Sequence, residues 1–247
     1  MKRSFIVSLA LICVFFTSVG FADTPSQLRF MAGPPGGNWF ALGGALADLW
    51  TQTVIPTTSI SGGAIANIIN ADKGKGDLGF SNTSMVAVAQ KGGMPPFETP
   101  VENATILANL YTQYTYFIAR KDFVEKHNIK SLDDLVARKI PTRFATLKTG
   151  TGSEFMVNAV FKSGFGLDYR NALKEWGGSV EYASYSDGAD LIADNHLDVF
   201  AFSVGKVASI VMQIESQTDV VILGMEQETL DKIGVDYGTV TFTVDPG

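Results

Sequence analysis

Apolar runs alternate along the chain with loops rich in glycine, serine, threonine and asparagine, and apolar residues at helical spacing follow each loop. The run 28–32 is apolar enough for a strand, Gly33, Gly36 and Gly37 break it, and Trp39, Leu42, Leu46 and Leu49 then recur every three or four positions. A second unit has a strand over 54–60, the break Ser61-Gly62-Gly63 and a helix over 64–71. A third has the strand Leu78-Gly79-Phe80, the loop Ser81-Asn82-Thr83 and a helix toward Gln90. Strand, loop and helix repeated in this order predict a mostly parallel sheet covered by helices.

The second half continues the pattern after a Gly/Pro-rich stretch, 91–100. The β-prone run 105–119 is where the chain is expected to cross into a second lobe. Ser131-Leu132-Asp133-Asp134 pairs a serine with an acid three positions on, the signature of a capping box at a helix start. A strand is predicted over 140–146, and Gly150-Thr151-Gly152-Ser153-Glu154 opens a helix to about 162. Strands over 180–183 and 198–202 flank a short helix at 187–194. A helix over 204–217 precedes a strand over 220–223 that leads back toward the first lobe. The expected fold class is α/β, with two lobes, mostly parallel sheets and a ligand cleft between them. Lobe 1 spans 23–113 with 221–247 returning to it, and lobe 2 spans 114–220. The final residues, Phe242-Thr243-Val244-Asp245-Pro246-Gly247, read like the interior of a domain, so the first lobe is expected to be incomplete.

Composition narrows the function. Of 247 residues, 46% are hydrophobic and 18% charged, enough apolar material for a substantial core. A net charge of -6 repels phosphate backbones, so nucleic acid is not an expected partner. Residues 1–22 read as a secretory signal peptide: Lys2 and Arg3 at the start, an apolar stretch over 5–16, and the small residues Gly20 and Ala22 before a cut at Asp23. The stretch is short for a membrane anchor, so export to the periplasm is expected. The one cysteine, Cys13, lies inside this segment. The mature chain therefore has no thiol nucleophile, thiolate metal site or disulfide.

The polar loops are the candidate site. Those at 33–38, 61–63, 81–83 and 149–153 each follow a strand and open a helix. In open α/β sheets ligands gather at the carboxyl ends of strands. Helix N-termini there offer unpaired N–H groups and partial positive charge, which suit an anion. Any one loop taken alone is better explained as a turn with its N-cap; four across two lobes point to a shared cleft. The candidates from the first loop are Gly37, Asn38, Trp39 and Phe40. The next two loops supply Ser61, Gly62 and Gly63, then Asn82 and Thr83. Tyr111 is an aromatic near the crossover, and Thr151, Gly152 and Ser153 come from the second lobe. Tyr114 and Tyr116 share that crossover region, and core packing explains such aromatics as readily as ligand contact.

Other patterns carry no chemistry. Gly74-Lys75-Gly76-Asp77-Leu78-Gly79 matches G-x-G-x-x-G but runs from helix into strand, the reverse of a dinucleotide fold, and reads as a turn. His127 and His196 sit among polar residues without a second histidine at metal spacing. Asp133-Asp134 is explained by capping and solvation. No nucleophile, base and orienting acid assemble, so no catalytic residue, metal or cofactor is expected and the chain is not read as an enzyme.

The loops also resemble a known family. Ala32-Gly33, Gly36-Gly37-Asn38-Trp39-Phe40, Gly43 and Ala47 resemble the opening motif of the TAXI family, the extracytoplasmic solute receptors of TRAP transporters. Ser61-Gly62-Gly63 with Asn67, then Gly76-Asp77-Leu78-Gly79, is similar to that family's second motif, and 106–111 to its leucine-tyrosine segment. Ile129-Lys130-Ser131-Leu132-Asp133-Asp134-Leu135 resembles its second-lobe helix start, and Gly150-Thr151-Gly152-Ser153-Glu154 its Gly-Ser-Gly-Thr-Glu type loop. Tyr185-Ser186 through Asp198-Val199-Phe200 resembles the segment before its late helix. The resemblance implies a periplasmic binding protein type II-like fold that holds glutamate or another small carboxylate. It also implies delivery to TRAP membrane permease subunits driven by a sodium gradient. The runner-up reading is a periplasmic ligand sensor partnering a membrane sensor kinase. Ala64 and Phe40 replace hydroxyl residues common in that family, and Ser203-Val204-Gly205-Lys206 lacks its usual proline, so a different ligand is compatible with the motif set.

Overall fold

The computed structural model describes residues 25–93, 96–206 and 208–243. The expected signal peptide, 1–22, lies outside the described residues.

Two sheets organise the chain. In the smaller, β1 (Leu28–Met31), β2 (Thr57–Ile60) and β3 (Leu78–Gly79) run parallel in the order β2-β1-β3. Helices α1 (Asn38–Thr53), α2 (Ala64–Asp72) and α3 (Thr83–Lys91) follow the three strands in turn. Of the periodic residues of α1, Trp39, Leu42 and Leu46 pack with Trp50 on Phe30 and Phe80, whereas Leu49 is exposed, so the apolar face turns toward Trp50. Phe30 meets Trp50 and Phe80 edge-on, with ring centroids 5.5 and 4.9 Å apart. Helix α1 can lie this close to β1 because position 43 is glycine; a β-carbon there would sit 2.5 Å from that of Ala32. The Gly74–Gly79 pattern is a turn in the structure: Gly74 is left-handed, and the Asp77 carboxylate accepts from the Arg29 backbone N–H at 2.7 Å and from its guanidinium.

The chain then runs through 101–112 without regular structure to the larger sheet. Its strands are β4 (Gln113–Arg120), β5 (Arg143–Thr146), β6 (Ser179–Tyr182), β7 (Val199–Gly205) and β8 (Val220–Ile222), in the order β6-β5-β7-β4-β8. β5 is parallel to β6 and β7, while β4 is antiparallel to β7 and β8. Between them come α4 (Lys121–His127), α5 (Leu132–Ala137), α6 (Gly152–Ala159), a π-helical turn (Val160–Gly164), α7 (Tyr169–Glu175), α8 (Tyr185–Ala193) and α9 (Ser209–Gln217), with α10 (Gln227–Tyr237) last. β7 is buried at all seven positions, with one cluster around Phe117, Phe144 and Phe161 and another around Phe200, Phe202 and Ile192. Ser131 Oγ accepts from the Asp134 N–H at 3.0 Å, the expected cap.

Four expectations need correction. The β-prone run 105–119 becomes a strand only from Gln113, because the preceding residues lie exposed with no partner strand among the described residues. Residues 204–205 belong to β7, and the helix starts at Ser209: Val204 and Gly205 pair with Tyr114 and Gln113, so strand pairing overrides helical spacing. The segment from 220 does not return to the smaller sheet over its described helix and strand. β8 takes the free edge of β4, and Leu223 and Ile233 bury in the larger core. Asp133 is not merely solvated; its carboxylate accepts from the Glu226 N–H at 2.9 Å and from the Thr229 hydroxyl, fixing the start of α10.

Asn67, 2% exposed, ties the carboxyl ends of the smaller sheet together. Its Nδ2 lies 3.0, 2.9 and 2.8 Å from the carbonyls of Met31, Ala32 and Phe80, and its Oδ1 accepts from the Gly63 N–H at 3.1 Å. Gly62 makes the approach possible: a β-carbon there would fall 2.2 Å from Asn67 Oδ1. Asn67→Ala strands several buried backbone groups, each worth about 1–3 kcal/mol when left unsatisfied. We expect about 3 kcal/mol of lost stability, measured by urea denaturation; an unchanged midpoint would show that the hub is dispensable.

Candidate functional site

The carboxyl ends of β1, β2 and β3 lead into α1, α2 and α3, whose N-termini lack a side-chain cap. Orphan N–H groups at such starts face outward from the helix end. Opposite them, the loop after β5 leads into α6. A cleft lies between. Gly37, Asn38 and Trp39 line it from α1, and Gly63 and Ala64 from α2. From the larger sheet come Thr151, Gly152 and Ser153 with Tyr185, Ser203 and Gln113. The cavity is about 20 Å³, room for roughly one water molecule, so the halves are closed on each other.

Glycines make that closure possible. A β-carbon on Gly37 would lie 2.7 Å from the Tyr185 ring, and one on Gly63 would lie 3.1 Å from the Gly150 carbonyl oxygen. Across the same interface Asn82 Nδ2 donates to Gln113 Oε1 at 2.7 Å. Asn82 Oδ1 is buried without a hydrogen bond, against Gly152, where a β-carbon would come within 2.7 Å of it.

The hydroxyls of the larger half have distinct roles. Thr151 Oγ1 accepts from the Glu154 N–H at 3.3 Å and donates to the Lys148 carbonyl at 2.8 Å, so it caps α6. Ser153 is buried and accepts from the Ser203 N–H at 2.9 Å, joining α6 to β7. Tyr185 donates to the Ser203 carbonyl at 2.9 Å. Burial pushes its phenol up to about 12, against the opposing hydrogen bond from Ser153, so it is a neutral donor at ordinary pH. Behind the loop, the buried Glu154 carboxylate accepts from Tyr169 at 3.0 Å and pairs with Arg170. Arg170 also donates to the Tyr182 hydroxyl at 2.6 Å and lies 4.6 Å over the Tyr169 ring. This network fixes the first turn of α6 and with it the cleft-facing loop.

Of the residues singled out in the sequence, Gly37, Asn38, Trp39, Gly63, Thr151, Gly152 and Ser153 lie on the cleft. Gly62 packs against Asn67, and Asn82 sits one contact behind the lining. Ser61, Thr83 and Phe40 are exposed and outside it. Tyr111 borders a second, open cavity with Asn38, Ala41 and Lys206. His196 is exposed, whereas His127 is half-buried with its ring 5.0 Å from Phe123. Tyr185, Ser203 and Gln113 were missed. Tyr185 follows the same strand-loop-helix rule, after β6 and the cap Ser184, and could have been found by it.

Two α/β sheets whose helix starts face a shared cleft define a type II periplasmic-binding fold. The chain belongs to the NMT1-like family, whose sequence model matches residues 30–247. Among solved structures it is similar to the binding-protein component of a phosphonate ABC transporter from Pseudomonas aeruginosa, at 16% identity and TM-score 0.52, covering 85% of this chain and 73% of that one. A lactococcal protein in its closed form with glycine betaine is 14% identical, TM-score 0.52, over 81% of this chain and 71% of that one. The periplasmic binding protein of Actinobacillus pleuropneumoniae, with fructose-6-phosphate bound, is 15% identical, TM-score 0.52, over 81% and 69%. At these identities the likeness concerns the fold.

The glycine contacts predict how closure responds to a single methyl group. Gly63 is extended, with φ -165°, so alanine fits its backbone. We expect Gly63→Ala to hold the cleft ajar while changing stability by about 1 kcal/mol or less. Spin labels on the exposed Gln52 in α1 and Glu215 in α9 measure this as a longer, broader separation in the ligand-free protein. Superimposable distance distributions would show that the Gly63–Gly150 contact does not govern closure.

Proposed function

We propose that the protein is a periplasmic solute-binding receptor that captures a small carboxylate between its two lobes and delivers it to a membrane permease. The observation that carries this reading is the convergence of the α1, α2 and α6 starts on one cleft. Their N–H groups and partial positive charge meet an anion without any metal or basic side chain. The lobes are organised by the smaller and the larger sheet, with the crossover at 101–112. The cleft is too small for a solute in its closed form, so binding proceeds through opening and reclosure. No covalent step is part of this function. The order of the loop motifs supports a TRAP-type permease as recipient, and the charged start and apolar stretch of 1–22 support export. The same motif resemblance puts glutamate among the acids to be tried as ligand.

The test separates capping from ligand contact at Thr151. Aspartate caps a helix as well as threonine does, but it sets one carboxylate against another. A bound acid at about 100 times its Kd raises stability by about 2.7 kcal/mol, a readily measured melting shift. We expect Thr151→Asp to keep the ligand-free melting temperature and to weaken carboxylate binding at least about tenfold, the scale of one charge-assisted hydrogen bond. Parental affinity in this variant would place the anion elsewhere.

A further inference from the structure

The lining of the cleft carries no formal charge. Among the described residues that line it, the side-chain polar groups are the amides and hydroxyls of Asn38, Gln113, Thr151, Ser153, Tyr185 and Ser203 and the indole N–H of Trp39, all neutral. The acid next along the chain, Glu154, has its carboxylate taken by Arg170 and the Tyr169 hydroxyl on the α7 side of α6. Arg170 is in turn committed to Glu154 and Tyr182. Facing this neutral lining are three helix starts, each a site of partial positive charge.

An α-amino acid makes opposite demands on such a cleft. Its carboxylate is met by the N–H groups of the helix starts. Its ammonium is repelled by the same starts and finds no counter-charge. An unpaired acceptor nearby, Asn82 Oδ1, is neutral and lies buried behind Gly152 rather than on the lining. Bringing an ammonium out of water without a carboxylate beside it is costly, and closure of the lobes makes it more so.

We propose that the cleft selects small carboxylates that lack an α-ammonium group, a selectivity that rests on the carboxylate-capture reading and narrows it. The neutral lining and the sequestered Glu154 set the preference, so amino acids are discriminated against by an unmatched charge rather than by size.

Three pairs of probes differ only in the amino group: propanoate and alanine, 4-methylpentanoate and leucine, glutarate and glutamate. Calorimetric Kd values on the full chain are expected to favour the member without the amino group by at least about tenfold in each pair that binds. Gln113→Glu adds a carboxylate to the lining with almost no change in shape, and is expected to cut that preference by about tenfold or reverse it. Should that variant not fold, as judged by melting, Asn38→Asp makes the same change from the opposite lobe. Amino acids binding the parent protein as tightly as their partners would overturn the selectivity and leave carboxylate capture standing. So would a ratio unmoved in a folded acidic variant. Binding by none of the six probes would overturn carboxylate capture, and the selectivity with it.

Discussion

The smaller sheet depends on a single buried amide. Three carbonyls surround Asn67 Nδ2 and one N–H points at its Oδ1, so the carboxyl ends of β1 and β3 and the start of α2 are tied at one point. Three parallel strands of two to four residues have few ladder bonds of their own. Their loops gain definition from this side chain instead. Because the cleft opens directly off those loops, the positions of Gly63 and Ala64 are inherited from Asn67. Polar networks of this kind stabilise only when every member is satisfied, which is the case here for the four groups concerned.

The larger half achieves the same end with charge. Glu154 and Arg170 form a pair in which the carboxylate side chain is 6% and the guanidinium 33% exposed. The desolvation that such a pair incurs is offset by Tyr169, Tyr182 and the ring face beneath the guanidinium. On the cleft side of α6, Ser153 binds the backbone of β7 through Ser203. The helix start is thus gripped from two directions, and its N–H groups cannot turn away from the cleft.

The rhythm of 28–91 was readable because each strand is short, each loop is built of glycine, serine, threonine or asparagine, and each helix shows apolar residues every three or four positions. The loops at 33–38, 61–63 and 149–153 could be placed at strand ends for the same reason. Ser203 was hidden because a continuous apolar run has no period that separates a central strand from a buried helix. Gln113 was hidden in a run whose β-prone residues extend well before the strand begins. The path of 220–237 depends on which sheet edge is free, a property of the assembled fold that no local pattern encodes. Asn67 stood out only as part of a motif; its burial, and so its role, comes from three segments distant in sequence.

Backbone donors at helix starts differ from side-chain donors in what heredity can do to them. The N–H groups at the starts of α1, α2 and α6 are present whatever side chains those turns carry. Mutation can therefore rewrite much of the surface around the cleft without erasing the donors themselves. Less free to change are the places where a side chain would collide, among them Gly62 against Asn67 and Gly37 against the Tyr185 ring. Such a plan constrains backbone approach at a few points and leaves most other positions open to substitution. Pairs of such proteins can share a fold at 14–16% identity.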